Sequence, residues 1–184
     1  MGSLRDDASE VLRSWPAPDA DQERLRERYV RHLEAHPDGV HRECVPDHLT
    51  ASTIVLSDDG ARVLLTLHAK ARRWFQLGGH LEGGDGSLLA AATREVAEES
   101  GLDLALDPVP VHLDEHAVPF CGGRGDVHHL DVRFLAVAGP DAVHAVSEES
   151  LDVAWWPADA LPDPDASLVA LVEAARKRLA ARGA

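Results

Sequence analysis

The stretch over residues 78–102 constrains the fold of this chain more than any other part of the sequence. After a glycine-rich loop, residues 87–100 contain no glycine or proline and are rich in alanine, leucine and glutamate, which predicts a helix. Gly101 stands where glycine commonly ends a helix. Three carboxylates then share one face of that helix, about a turn apart. They belong to Glu95, Glu98 and Glu99.

The acidic face of this helix has two interpretations. A solvated acidic face is the simpler one, although like charges at these spacings repel by about 0.2–0.5 kcal/mol per pair. Bound Mg²⁺ or Mn²⁺ would offset that repulsion better than the nearby Arg94, because hard cations take carboxylate, water and phosphate oxygens as ligands. The apolar opposite face and the glycine-rich loop, whose backbone can approach a ligand closely, favour the cation site.

The rest of the sequence predicts strands around this helix and further helices at both ends. Amphipathic patterns predict a helix over 21–35 and a terminal helix over 165–182. Apolar runs bounded by turn residues predict six strands. These strands cover 50–56, 62–68, 74–77, 109–116, 129–137 and 151–156. The order of elements favours an α+β fold, an α/β/α sandwich in which a mixed β-sheet is flanked by helices.

The composition and charge indicate one globular domain and exclude some classes of partner. The chain has 184 residues, of which 45% are hydrophobic, and its net charge is −14. That charge argues against binding DNA or RNA, since nucleic-acid backbones are neutralised by Lys and Arg. Two cysteines imply no disulfide framework and suit a reducing compartment. With no apolar run of membrane-spanning length and no secretory h-region, we expect a cytoplasmic protein without a membrane partner.

Residues 79–102 resemble the Nudix box. Its usual form is Gly, five residues, Glu, seven residues, Arg-Glu, an apolar residue, any residue, Glu-Glu, any residue, Gly and an apolar residue. The run REVAEESGL, from Arg94 to Leu102, matches every fixed position of the second half. The resemblance covers about residues 48–180. It implies a Nudix-type sandwich over 46–184, preceded by an N-terminal helical extension over 1–45, the two forming one compact unit.

The first half of the box departs from the usual form. Five residues after Gly79, the chain carries Asp85 where the family has glutamate. Eight residues rather than seven then separate Asp85 from Arg94. The box is therefore a variant with one inserted residue and a shorter acid. Instead of acting as a ligand, Asp85 can cap the helix or pair with Arg94.

The resemblance implies a hydrolase that cleaves a diphosphate linked to a further group X, commonly a nucleoside, by attack of water on phosphorus. It implies Mg²⁺ or Mn²⁺ held by the three box glutamates, Glu95, Glu98 and Glu99. Arg94 would orient these carboxylates, and Gly78 and Gly79 would bring the loop backbone close to the helix and the substrate. The general base is either a box glutamate, Glu95, or an acid in a later loop, Glu149.

Other polar residues are weaker candidates for the site. Arg124 lies in a glycine-rich loop and His128 opens a strand, so both can contact the substrate; a surface arginine and a core or edge histidine are the plain alternatives. His41, Cys44 and His48 loosely resemble part of a zinc site. Three ligands on an irregular segment, with no fourth nearby in the sequence, argue against zinc there.

Two rival functions stay open beside the hydrolase. One is a Nudix-fold binding or regulatory domain without turnover, although all three box glutamates are present. The other is an enzyme like the isopentenyl diphosphate isomerases, which also need a reactive cysteine and histidine ligands; Cys121 lies far downstream of the box for that role. The expected substrate is a small nucleotide derivative, and the chain is expected to be a monomer or a homodimer.

Overall fold

The computed structural model describes residues 3–118, 127–145 and 150–182. This part of the chain contains four α-helices. They are α1 Leu4–Ser14, α2 Ala20–Ala35, α3 Leu88–Ser100 and α4 Ala166–Arg182. None of them is both long enough and apolar enough to cross a membrane.

The strands of the described residues form one mixed sheet of seven strands. Their bounds are β1 Asp47–Ser57, β2 Arg62–His68, β3 Trp74–Phe75, β4 Leu77–His80, β5 His112–Ala117, β6 His128–Ala138 and β7 Ser150–Pro157. β1 is central, because it pairs antiparallel with β2 and β4 and parallel with β6. β5 pairs with β6, and β3 and β7 pair with β2. β4 and β6 therefore lie on either side of the same part of β1.

Helices cover both sides of the sheet, which we call the α3 side and the α4 side. Side chains alternate along β1, so Leu49 and Ala51 pack with α1, α2 and α3, while Ile54 and Leu56 pack with α4. Burial of each such leucine or isoleucine contributes about 1.5–3 kcal/mol to stability. The two apolar cores fix the register of β1, because a slip by one residue would exchange its two faces.

The structure confirms the α+β class and the mixed sheet flanked by helices, and it adds a helix that the sequence patterns did not reveal. α1 occupies a segment whose polar, acidic composition hid a short apolar stripe containing Ala8 and Leu12, both fully buried. Its start is marked by a capping box between Ser3 and Asp6. The fourth predicted strand, expected over 109–116, also starts later, at His112, after Pro110, which has no N–H to donate to the sheet.

Candidate active site

α3 begins and ends at the residues that its sequence signals indicate. The Ser87 hydroxyl accepts a hydrogen bond from the Ala90 N–H at 3.0 Å, which makes Ser87 the N-cap. A second acceptor comes from α1, where the Asp7 carboxylate accepts a hydrogen bond from the Leu88 N–H at 2.8 Å. At the other end, Gly101 adopts a left-handed conformation with φ of 69°. α3 is thus held at both ends beside β4.

Two glycines of β4 bring its backbone against the glutamates of α3. The Gly78 N–H donates a hydrogen bond to Glu99 Oε2 at 2.8 Å. A Cβ atom at Gly79 would lie 2.6 Å from Glu95 Oε1, closer than any side chain allows. Because Gly79 has no Cβ, the Glu95 carboxylate rests directly on the β4 backbone. Glu95 and Glu99, one turn apart, therefore both face β4.

Arg94 joins the loop to the acidic face of α3. Its Nη1 atom donates to Glu95 Oε1 at 3.0 Å and to Glu98 Oε2 at 2.8 Å. Its Nη2 atom donates to the backbone carbonyl of His80 at 3.0 Å. The guanidinium therefore fixes the positions of two of the three box carboxylates relative to the end of β4. An orienting contact of this kind is what the sequence analysis expects of Arg94.

Asp85 pairs with Arg94 and does not cap α3. Its two carboxylate oxygens accept from Arg94 Nε at 3.1 Å and Nη2 at 3.0 Å, a bidentate arrangement. The side chain is 7% exposed and also accepts the Glu82 N–H at 2.8 Å. Burial is the largest single influence and would raise the pKa of Asp85, but the hydrogen bonds from Arg94 and from the Glu82 N–H, together with the charge of Arg94, outweigh it, so the pKa lies below its usual value. Asp85 is therefore a carboxylate that holds Arg94 in place.

The carboxylates around Arg94 suit a hard divalent cation. Asp85, Glu95 and Glu98 outnumber the single guanidinium that they contact, and oxygen donors are those that Mg²⁺ and Mn²⁺ prefer. The Glu98 side chain is 59% exposed, whereas that of Glu95 is 14% exposed. The fit of Glu95 on Gly79 also shows a carboxylate held in a fixed place at the edge of the sheet.

The structure places His128 beside a carboxylate at the start of β1. His128 opens β6, and its Nδ1 atom lies 3.2 Å from Asp47 Oδ1 at the start of β1. The next residue, His129, is the one whose ring lies against His80, at the end of β4. Two further sequence-based candidates, Arg124 and Glu149, lie outside the described residues.

A buried polar network on the α4 side of the sheet was missed by sequence reasoning. Asp131, 3% exposed, accepts from Thr50 at 3.0 Å, Ser52 at 2.7 Å and Arg133 at 2.8 Å. Ser52 is the β1 partner of Gly78, so this network begins directly beside the glycine that contacts Glu99. The signal was the alternation of β6, which places Asp131 and Arg133 on one face of an otherwise apolar strand.

The comparison with protein families agrees with this arrangement. A family model for the NUDIX domain matches residues 46–178, which include β4, the loop and α3. No curated protein matches the chain. Since the family model covers well over half of the sequence, the chain belongs to the Nudix hydrolase family.

Solved structures show the same fold at low sequence identity. A NUDIX-family hydrolase from Clostridium perfringens has 24% identity and a TM-score of 0.56, covering 71% of this chain and 97% of that chain. The Ap4A hydrolase of C. elegans has 18% identity and a TM-score of 0.62, covering 72% and 98%. The NUDIX domain of Shewanella oneidensis NrtR, in complex with ADP ribose, has 25% identity and a TM-score of 0.57, covering 71% and 87%.

Proposed function

We propose that this chain is a divalent-cation-dependent pyrophosphohydrolase acting on a nucleoside diphosphate linked to a further group X. The observation that carries the proposal is the seating of Glu95 and Glu99 on the backbone of Gly79 and Gly78. It fixes two carboxylates of the matching half of the Nudix box beside a strand end that a phosphorylated ligand can approach.

In this proposal the chain's own residues hold the cation and position the reacting groups. Glu95, Glu98 and Glu99 would bind Mg²⁺ or Mn²⁺, and Arg94 keeps Glu95 and Glu98 in register through its hydrogen bonds. When bound, the cation supplies Lewis-acid polarisation of the phosphoryl oxygens and of the attacking water. A carboxylate takes the proton from that water, and Glu95 and Glu149 are the candidates.

The substrate class follows from the family and from the acidic character of the site. A diphosphate brings its own negative charge, and a cation held by the glutamates would offset its repulsion from them. We assign contact with the substrate to Gly78 and Gly79 through their backbone, and to Arg124 and His128 through their side chains. Ap4A hydrolase and the ADP-ribose complex of NrtR, two of the similar structures, point to nucleotide-containing diphosphates as the first substrates to test.

The same proposal includes the location, the oligomeric state and the domain bounds of the enzyme. We place it in the cytoplasm as a monomer or homodimer, with residues 1–45 as an extension of a domain over 46–184. The extension packs on the domain: Trp15 Nε1 donates to the Pro110 carbonyl and the Tyr29 hydroxyl to that of Asp114, each at 2.6 Å. The net charge of −14 disfavours a polymeric nucleic acid as a partner. One similar structure, NrtR, was nevertheless solved with a 27mer DNA.

The test is hydrolysis of a panel containing ADP-ribose, diadenosine tetraphosphate and nucleoside triphosphates, with and without Mg²⁺ or Mn²⁺. We expect turnover that needs the cation and falls about 100-fold or more in Glu99→Gln, since loss of a ligand carboxylate removes several kcal/mol of charge stabilisation. Asp85→Asn should reduce turnover only a few-fold, because its contact with the site runs through Arg94. Glu173→Gln, on the exposed face of α4, is the matched control and should retain full activity.

Three outcomes would contradict the proposal. Turnover without a divalent cation would remove the role of the glutamates, and a loss in Asp85→Asn as large as that in Glu99→Gln would place Asp85 among the ligands. Tight binding of ADP-ribose without any turnover, in a protein that binds Mg²⁺, would identify a ligand-binding domain instead of an enzyme.

A further inference from the structure

Three histidines from three neighbouring strands meet on the α4 side of the sheet. They are His48 of β1, His80 of β4 and His129 of β6. Their ring centroids are 5.2 Å apart for His48 and His80, 5.0 Å for His48 and His129, and 4.9 Å for His80 and His129. One ring nitrogen of each residue lies within 4.8 Å of the other two. The three rings thus form a nearly equilateral triangle.

The register of the sheet explains why these side chains meet. His48 is the direct β1 partner of His129, and His80 pairs with Thr50, two residues further along β1. Along β4, Gly79 faces Glu95 of α3, so the alternation of strand side chains turns His80 to the opposite side of the sheet. The imidazole triangle and the carboxylate group are therefore separated by the thickness of one strand.

The histidines are held in the form that binds metals. The Nδ1 atom of His48 lies 3.1 Å from the Cys44 carbonyl, which can only accept, so Nδ1 carries the proton and Nε2 has the lone pair. Burial, followed by the neighbouring histidines, lowers the pKa of His129 to about 3, and burial likewise lowers that of His80 to about 4. Neutral imidazoles release no proton when they bind a metal.

His129 adds an independent observation. Among the described residues, its Nε2 atom is buried and has no hydrogen-bond partner. A buried polar atom without a partner is destabilising, so native structures rarely keep one without a reason. An ion bound between the three rings would supply the missing partner.

We propose that His48, His80 and His129 form a second metal site, which binds one borderline transition-metal ion, with Zn²⁺ as the first ion to test. Imidazole nitrogen suits Zn²⁺, Ni²⁺ and Cu²⁺, whereas Mg²⁺ takes oxygen ligands, so this site and the carboxylate group select different ions. Tetrahedral Zn–N bonds of about 2.0–2.1 Å place the ligand nitrogens about 3.3 Å apart. Ring rotations that move each nitrogen by about 1 Å bring the triangle to that size.

Three protein ligands leave one position of a tetrahedral zinc ion for water or an anionic ligand. The imidazole triangle lies on the same side of the sheet as Ser52 and Asp131, and His80 directly follows the two glycines that contact Glu99 and Glu95. The site is therefore placed to contact a group bound at the end of β4, while its protein ligands are independent of the carboxylates on α3.

A second group of possible ligands, formed by His36, Asp38 and Cys44, is the competing location. Its residues come from the end of α2 and from the connection that leads to β1, so no strand pairing fixes them relative to one another. Asp38 is exposed. The imidazole triangle is therefore the better zinc site of the two.

The experiment is a Zn²⁺ titration of the full chain, stripped with a chelator, against a chromophoric zinc chelator. We expect one tight equivalent in the wild type and a loss of affinity of about 100-fold or more in His129→Ala and His80→Asn. Cys44→Ser and Glu99→Gln should bind Zn²⁺ like the wild type, because neither removes a ligand of the triangle. Circular dichroism establishes that each variant is folded.

A thermal melt gives a second measurement on the same proteins. Zn²⁺ should raise the melting temperature of the wild type, of Cys44→Ser and of Glu99→Gln, since a ligand that binds only the folded state stabilises it. Zn²⁺ should leave the melting temperature of folded His80→Asn unchanged. The proposal is overturned by a folded wild type that binds no tight Zn²⁺, by undiminished binding in both histidine variants, or by binding that disappears in Cys44→Ser.

Discussion

The two sides of β4 present opposite solutions to placing several ionisable groups together. On the α3 side, the carboxylates of Asp85, Glu95 and Glu98 are arranged around the Arg94 guanidinium by direct hydrogen bonds. On the α4 side, the three imidazoles are brought together by strand pairing and kept neutral by burial. The first group keeps its charge through a counter-charge, and the second avoids charge altogether.

This difference explains why the carboxylate group could be found in the sequence and the imidazole triangle could not. The carboxylates and Arg94 lie on a loop and a single helix, so their spacing alone places them on one face. His48, His80 and His129 come from three strands, and their meeting depends on the pairing order of the sheet. Sequence reasoning noticed His48 only beside His41 and Cys44, which are its neighbours along the chain.

The largest effect in this comparison is expected from Arg133→Met on the α4 side. Arg133 pairs with Asp131 at 2.8 Å and with Asp114 at 2.9 Å, and its side chain is 4% exposed. Its removal leaves the buried carboxylate of Asp131 and the partly buried one of Asp114 without their cation, which costs about 3–5 kcal/mol. The free energy of unfolding, measured by urea denaturation, reports the loss.

Arg13→Met is the control for that substitution. The pair between Arg13 and Glu34 is more than half exposed on both sides, so its loss should change the stability by about 0–1 kcal/mol. Equal losses in the two variants would show that the buried network contributes no more than a surface ion pair.

An intermediate effect is expected from Gly79→Ala, which sharpens the description of the α3 side. The new methyl group would displace the tip of the Glu95 side chain, which is flexible, so the fold should persist while the carboxylate moves. We expect kcat/KM to fall by about 10- to 100-fold, or about 1.4–2.7 kcal/mol, with a small change in melting temperature.

Gly83→Ala provides the comparison for Gly79→Ala. It lies in the loop that follows β4, and no atom approaches its would-be Cβ within 4 Å, so activity should be retained. If both alanine variants are fully active, the close contact between the β4 backbone and Glu95 has no part in catalysis.

The smallest effect is a pH dependence of stability that originates on the α4 side. Burial, followed by the charge of Arg133, lowers the pKa of His112 to about 4 from its usual 6.5. Between pH 6.5 and about pH 4, His112 is therefore protonated in the unfolded chain but not in the folded one. The contribution of His112 to the free energy of unfolding is fully present above this window and is lost as the pH is lowered through it.

Denaturation curves at several pH values between 7.5 and 4.5 measure this slope. His112 should contribute about 1 kcal/mol per pH unit at most. The amide of His112→Gln can still meet Gln22 but does not titrate, so its slope should be shallower than that of the wild type. An unchanged slope would show that His112 is protonated in the folded protein as readily as in the unfolded one.

Much of the fold was accessible to sequence reasoning because its signals are local. α3 is marked by Ser87, Gly101 and an uninterrupted composition between them, and strand patterns located the sheet. α1 was missed because its buried stripe consists of small and sparse apolar residues, Ala8 and Leu12, within an acidic segment. The network around Asp131 was missed because a charged residue in a strand gains its partners only from other strands.

The hydrogen bond between Asp7 and the first amide of α3 changes how the N-terminal segment should be regarded. A carboxylate at a helix start also interacts favourably with the positive end of the helix dipole. A protein engineer who transplanted residues 46–178 alone would lose this acceptor, a contact of about 1 kcal/mol. The transplant would carry every glutamate of the box on a helix with a looser first turn. A fragment that keeps α3 capped in this way must therefore include the chain from before Asp7.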